Sequence, residues 1–227
     1  MTSGSSPCAQ TIPDWVDIFR LLKRYIKDNV LPSVSQIAED NAEPYRVLFS
    51  TIISLRTRDE VTLAASRRLF KAAPDLNTLI TIDETRIAEL IYPAAFYHNK
   101  STSIKKCAAI LLNDYEGRIP SDRDELLKLP GVGRKTANLT LNLGFGINAI
   151  CVDTHVHRIS NRAGWITTRN PDETELALEQ ILPPKYWIPL NEVLVSYGQS
   201  VCTPQSPWCS KCVITEHCIR AGVGRKR

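Results

Sequence analysis

Between Leu129 and Lys135 the chain reads Leu-Pro-Gly-Val-Gly-Arg-Lys, and no other stretch limits its fold as tightly. Two glycines one residue apart reach backbone angles closed to other residues, and no side chain covers their amides. A helix opening at Gly133 or Arg134 would add its own unpaired N–H groups and positive dipole end, a combination that attracts an anion. By itself G-x-G is an ordinary turn. Two residues give it more weight: Lys135 directly after the turn, and Asp153 in Val152-Asp153-Thr154-His155. An amine and a carboxylate beside a phosphate-gripping turn suit attack on a sugar C1′. A lysine with an ordinary pKa near 10.4 is only about 0.04% neutral at pH 7. Burial or a cationic neighbour such as Arg134 would lower that pKa and free the lone pair. The carboxylate would steady positive charge on the sugar or shuttle a proton. Taken singly, Lys135 reads as a surface phosphate contact and Asp153 as a helix cap; only together with the turn do they carry the catalytic reading.

The rest of the chain reads as helices. Trp15, Ile18, Phe19, Leu22 and Ile26 lie on one helical face, and Trp15 belongs to a core. Residues 29–42 carry turn formers and read as a linker, and 1–12 as a disordered leader. Pro44 fits the first turn of a helix running to Leu55. A polar break, Ser54 to Asp59, leads into a helix to about Ala72 with Asp59 as its cap. Ile104, Ala108, Leu111, Leu112 and Tyr115 mark a helix over 101–115, with Cys107 a small core residue beside that face. Ser121 to Asp124 resembles a capping box for a short helix, 124–129, leading into the glycine turn. After Lys135, Ala137, Leu139, Leu141 and Leu143 alternate as in a strand, while Ala137, Leu141 and Gly144 fit a helix. With no second strand to pair with, helix is the choice, ending at Phe145-Gly146. Helices over 152–163, 172–182 and 186–200 follow, the last two parted by Pro183-Pro184. His155 and His157 read as structural hydrogen bonders, and Trp165 and Trp187 as core of these helices.

Cys202, Cys209, Cys212 and Cys218 follow C-x6-C-x2-C-x5-C. Zinc and an iron–sulfur cluster both take four thiolates. Zinc ribbons pair two short knuckles, and this run has one. Seven cysteines in all, four of them crowded together, suit a reducing compartment and a metal site better than a disulfide framework. Cys8 and Cys151 stand apart from the set. The net charge of +4 permits a nucleic-acid partner without demanding one. No apolar run is long enough for a membrane span, and the first residues lack the pattern of a secretion signal.

Leu129–Ala137 followed by Val152-Asp153-Thr154-His155-Val156-His157-Arg158 resembles the helix-hairpin-helix and catalytic segments of endonuclease III, a family of DNA glycosylases with AP-lyase activity. The likeness runs from about Pro44 to Cys218 and takes in the cysteine spacing. It implies an all-α fold of two helical lobes with a DNA-binding cleft: 43–147 as a helical barrel with the hairpin, 13–42 plus 148–221 as the cluster lobe, and 222–227 as a basic tail. It implies that Lys135 is the nucleophile, that Asp153 is the second catalytic group, and that the amides of Gly131, Val132 and Gly133, with Arg134, meet DNA. It further implies a [4Fe–4S] cluster on Cys202, Cys209, Cys212 and Cys218, in a structural role. The partner would be double-stranded DNA carrying oxidised pyrimidines or abasic sites, bound by an intracellular, nucleoid-associated monomer. Phe96 stands where the family inserts an apolar wedge. Arg56 stands where the family usually has a glutamine that fills the gap left by the extruded base; its five donors and flat face could serve the same end. The loop between Cys202 and Cys209 lacks the basic residues the family often has there, so Lys211 and the tail Arg225-Lys226-Arg227 would supply positive charge instead. The rivals are a monofunctional mismatch or adenine glycosylase, which Lys135 argues against, and a non-catalytic hairpin module that only binds DNA.

Overall fold

The apolar spacing of the first helix is realised as α1, Trp15–Ile26. The Asp14 side chain caps it by accepting from the Asp17 amide, and Trp15, Ile18, Phe19, Leu22 and Ile26 form the buried face. The computed structural model describes residues 13–27 and 30–227; the leader expected over 1–12, with Cys8, and the expected start of the linker at Asn29 lie outside them. Among the described residues there is no strand, so the chain is all-α, as its sequence predicts. None of the described helices is long and apolar enough to cross a membrane.

One core is shared by α2 (Ser33–Asp40), α3 (Pro44–Ser54), α4 (Asp59–Ala72), α5 (Leu76–Thr81), α6 (Glu84–Ile91), α7 (Tyr97–Asp114), α8 (Arg123–Leu127) and α9 (Arg134–Phe145). Phe49, Ile52, Ile53 and Ile104 are almost wholly enclosed there, each contributing about 1.5–3 kcal/mol by leaving water. The expected linker is corrected: it holds α2, whose Ile37 enters this core and whose Val34 packs with Val47, Leu139 and Cys151. α2 thus packs with the segment that follows it. Periodicity also passed over α5 and α6, which at six and eight residues offer barely two turns of pattern.

The alternation in α9 has a physical cause. Every residue from Thr136 to Asn142 is buried, so its polar members face protein and not water. Asn138 Nδ2 donates to the Ile150 carbonyl at 2.8 Å, and Asn142 Oδ1 accepts from the Ala149 amide at 3.0 Å. Gly146, at φ +66°, ends the helix in the left-handed conformation that glycine tolerates.

A second core joins α1 to α10 (Thr154–Ala163), α11 (Pro171–Ile181) and α12 (Trp187–Ser200). Trp165 lies in the loop after α10, not in a helix, with its ring 5.1 Å from that of Trp15 in an edge contact. Trp187 is half-buried and donates its indole N–H to Leu182. The chain after α12 folds back on this core through Ile214 and carries two short 3-10 turns, Cys209–Lys211 and Thr215–His217.

Candidate active site

The hairpin consists of α8, the glycine turn and α9. Asp122, not Ser121, opens α8, its carboxylate accepting from the amides of Asp124 and Glu125. Leu129 and Val132 sink into the first core and anchor the turn. Gly131 sits at φ +80°, and a Cβ there would lie 2.9 Å from Cβ of Ser103 on α7. Both its angle and its neighbour require glycine. Gly133 is different: it caps α9 in an extended conformation, and a Cβ would meet nothing within 4 Å. The expected set of three phosphate-gripping amides is corrected at Val132, whose N–H is spent on the Leu129 carbonyl at 3.1 Å. The amides of Arg134 and Lys135, first and second residues of α9, have no intrahelical acceptor by their position.

Asp153 caps α10, its Oδ1 accepting from the amides of His155 at 2.8 Å and Val156 at 2.9 Å. The segment between α9 and α10 fixes its distance from Lys135, and buried asparagines fix that segment. Asn138 and Asn142 hold Ile150 and Ala149, and Asn191 of α12 donates to the Cys151 carbonyl at 3.2 Å. Cys151 in turn points its Sγ at the Lys135 carbonyl, 3.6 Å away. Burial pushes the Cys151 thiol up to about 12, with Lys135 pulling it down and Asp153 pushing it up. Burial likewise lowers the pKa of His155; Asp153 opposes that shift, while Arg158 and Lys135 reinforce it. The amine and the carboxylate therefore act on the same two groups, buried Cys151 and half-buried His155. His155 Nδ1 lies 3.0 Å from the Arg158 guanidinium, and His157 Nδ1 lies 2.7 Å from Thr174 Oγ1, so both histidines bond within the fold as the sequence predicts.

Lys135 and Asp153 line one cleft of about 920 Å³ together with Gly133, Arg134, Arg56 and Glu175. Arg134, expected as a cationic neighbour of Lys135, has its charge paired. Its guanidinium makes a forked pair with Glu175, at 3.0 and 2.7 Å, and Glu175 also takes Arg123 at 3.3 Å. Glu175 is 2% exposed, and a buried carboxylate needs such partners. Asp59 is likewise not the cap expected of it. Arg58 takes that place, while Asp59 accepts from Ser33 of α2 and Gln199 of α12, each at 2.8 Å.

Arg56 and Phe96 stand together, the Arg56 Cζ 5.8 Å from the Phe96 ring centre. Both are non-glycine residues at positive φ, 55° and 56°, and both are exposed. Phe96 is 60% exposed, so its ring stands outside the core. Sequence reasoning missed Glu175 and Lys100, each buried at an apolar-face position: Glu175 is three residues before Leu178, and Lys100 four before Ile104. A charge in phase with a hydrophobic stripe was the available signal.

Residues 49–184 match the family model described as HhH-GPD superfamily base excision DNA repair protein. Endonuclease III of Thermotoga maritima is 47% identical over 188 residues, covering 82% of this chain and 88% of that protein. The chain belongs to the endonuclease III family. Among solved structures it resembles a non-covalent endonuclease III–DNA complex (TM-score 0.79, 31% identity, 89% of this chain and 92% of that one). It also resembles a trapped endonuclease III–DNA covalent intermediate (TM-score 0.74, 32% identity, 87% and 96%).

In this endonuclease III-family chain Cys202, Cys209, Cys212 and Cys218 line one pocket with Arg162, Val201 and Trp208, and none of them is in a disulfide. α10 grips the loop. Arg162 donates to the carbonyls of Thr203 and Pro204 at 2.7 and 2.6 Å and stands 3.5 Å from Cys202 Sγ, while Arg158 reaches the Cys202 carbonyl at 2.8 Å. These guanidiniums place positive charge beside Cys202. Four thiols around one pocket, with a cation beside one of them, fit a group bound through four sulfurs. Among the described residues, no three Cys, His, Asp or Glu side chains are drawn together as around a single ion.

Proposed function

We propose that this chain is a bifunctional DNA glycosylase and AP lyase of base excision repair in which Lys135 is the nucleophile and Asp153 its partner. The observation that carries this is the shared cleft wall: Lys135 in the first turn of α9, behind the glycine turn, and Asp153 at the head of α10. The substrate is an oxidised pyrimidine in double-stranded DNA, extruded into the cleft. The neutral Nζ of Lys135 attacks C1′, and the C1′–N bond breaks with its electron pair leaving on the base. Asp153, its Oδ1 held by two amides, steadies the positive charge that develops on the sugar. Nζ then loses its protons and the ring oxygen departs, leaving a C1′=N Schiff base. Removal of a C2′ proton expels the 3′ phosphate by β-elimination, the strand is nicked, and water releases the lysine.

The amides of Gly131, Gly133 and Arg134 face the DNA backbone; the bare surface at Gly133 leaves room for close approach. Arg134 serves through its amide, since its guanidinium is bound to Glu175. Arg56 and Phe96 enter the gap left by the extruded nucleotide. The lobes are α2 with 43–147, and α1 with 148–221. Cys202, Cys209, Cys212 and Cys218 would hold a [4Fe–4S] cluster, whose four iron–sulfur bonds clamp the C-terminal loop. The protein works as a monomer on nucleoid DNA. Borohydride trapping on an abasic-site duplex tests the assignment. A covalent adduct is expected, and it should vanish in Lys135→Gln; no adduct with either protein would leave a DNA-binding module.

A further inference from the structure

Lys100, in the first turn of α7, is 6% exposed and has no carboxylate among its partners. Its Nζ lies 2.7 Å from the Ile53 carbonyl, 2.6 Å from that of Leu55 and 2.8 Å from Thr57 Oγ1. An ammonium has three hydrogens, and these three oxygens take them all. Ile53 and Leu55 close α3, where unpaired carbonyls and the negative end of the dipole favour a cation. Burial draws the Lys100 pKa down to about 8, which still leaves the group mostly protonated at neutral pH.

Arg56 stands between two of those acceptors, with Leu55 before it and Thr57 after it. The second loop is tied to the same point. The amide of Ala95, next to Phe96, donates to Thr57 Oγ1 at 3.1 Å, and the amide of Lys100 donates to the Phe96 carbonyl at 3.0 Å. Arg56 and Phe96 both hold left-handed angles that cost free energy outside glycine. Such angles persist only where the surroundings over-determine them, and one buried ammonium supplies that constraint to both loops.

We propose that Lys100 is the positioning residue of the duplex wedge, holding the loops of Arg56 and Phe96 in one arrangement before DNA is met. This rests on the reading that those two side chains enter the gap. Lys100 touches neither substrate nor the reacting atoms; it acts through the loops.

The test uses the full chain with Lys100→Met, which keeps the stem and removes the charge, in single-turnover assays on two substrates. One is a duplex with an oxidised pyrimidine, which must be parted; the other is an abasic site inside an unpaired bubble, which need not be. Lys100→Met is expected to lose about 100-fold on the duplex and less than about threefold on the bubble. Thr57→Val, which removes the node shared by both loops, should show a smaller loss with the same preference. Fluorescence of 2-aminopurine beside the lesion should rise on binding wild type and not on binding Lys100→Met. Equal loss on both substrates, or unaltered duplex excision, overturns the proposal. The Arg56→Ala, Phe96→Ala double variant separates the two readings. If it excises from duplex like wild type, the wedge reading fails; if it is impaired, adding Lys100→Met should cost nothing further, and a further loss would overturn the positioning role.

Discussion

Gly131→Ala probes the turn on which the site is built. At φ +80° an alanine pays about 1–2 kcal/mol for the left-handed conformation. Its Cβ also lands 2.9 Å from Cβ of Ser103, an atom fixed to the α7 backbone that no rotamer change can move. Overpacking of this kind costs about 1–3 kcal/mol, so the sum is about 2–5 kcal/mol. The two parts are separable. Ser103→Gly removes the opposing Cβ at a cost of about 0.5–1 kcal/mol for glycine inside a helix. In the double variant the steric part disappears and the conformational part remains, giving a coupling of about 1–3 kcal/mol in favour of the pair. Urea unfolding of wild type, both single variants and the double variant measures it, with nicking of an abasic duplex followed alongside because Lys135 moves with the turn. If Gly131→Ala costs less than about 1 kcal/mol, or Ser103→Gly recovers none of the loss, then the hairpin is not seated on α7 as described.

Asp153→Asn keeps a good cap, so stability should change by only a few tenths of a kcal/mol and DNA binding in a gel shift should persist. Base excision should fall by about 100-fold or more, and undiminished excision would remove Asp153 from the mechanism. Burial pushes the thiols of Cys107 and Cys151 up to about 12 from an ordinary 9.0. The folded state therefore holds these protons more tightly than the unfolded one. Their effect is nil below about pH 9, and stability is lost as pH rises from there toward 12. At pH 8 neither thiol should take iodoacetamide until the protein is unfolded, and peptide mapping that finds them alkylated in the native protein would contradict their burial. The protein should be coloured, with broad visible absorption, and should contain iron; stoichiometric zinc without iron would overturn the cluster assignment.

Local chemistry was enough to write down α1, the hairpin, the cap at Asp153 and the cysteine set from the sequence. Each is fixed by residues close along the chain: apolar spacing for α1, a turn that only glycine permits at 131, and a carboxylate two and three residues before the amides it caps. The all-α class followed too, because no stretch offered a partner strand. The tertiary structure decided what the charged and amide side chains do. Arg134 looks like a free cation until Glu175, 41 residues later, is seen to take it. Lys100 looks like a solvated lysine until the end of α3 lies beneath it. The asparagines of α9 look like a strand's polar face until residues 149 and 150 are laid against them. A buried polar group is stable only where its partner arrives, and these partners come from elsewhere in the chain. Sequence spacing records which groups are near along the chain, and only packing records which are near in space.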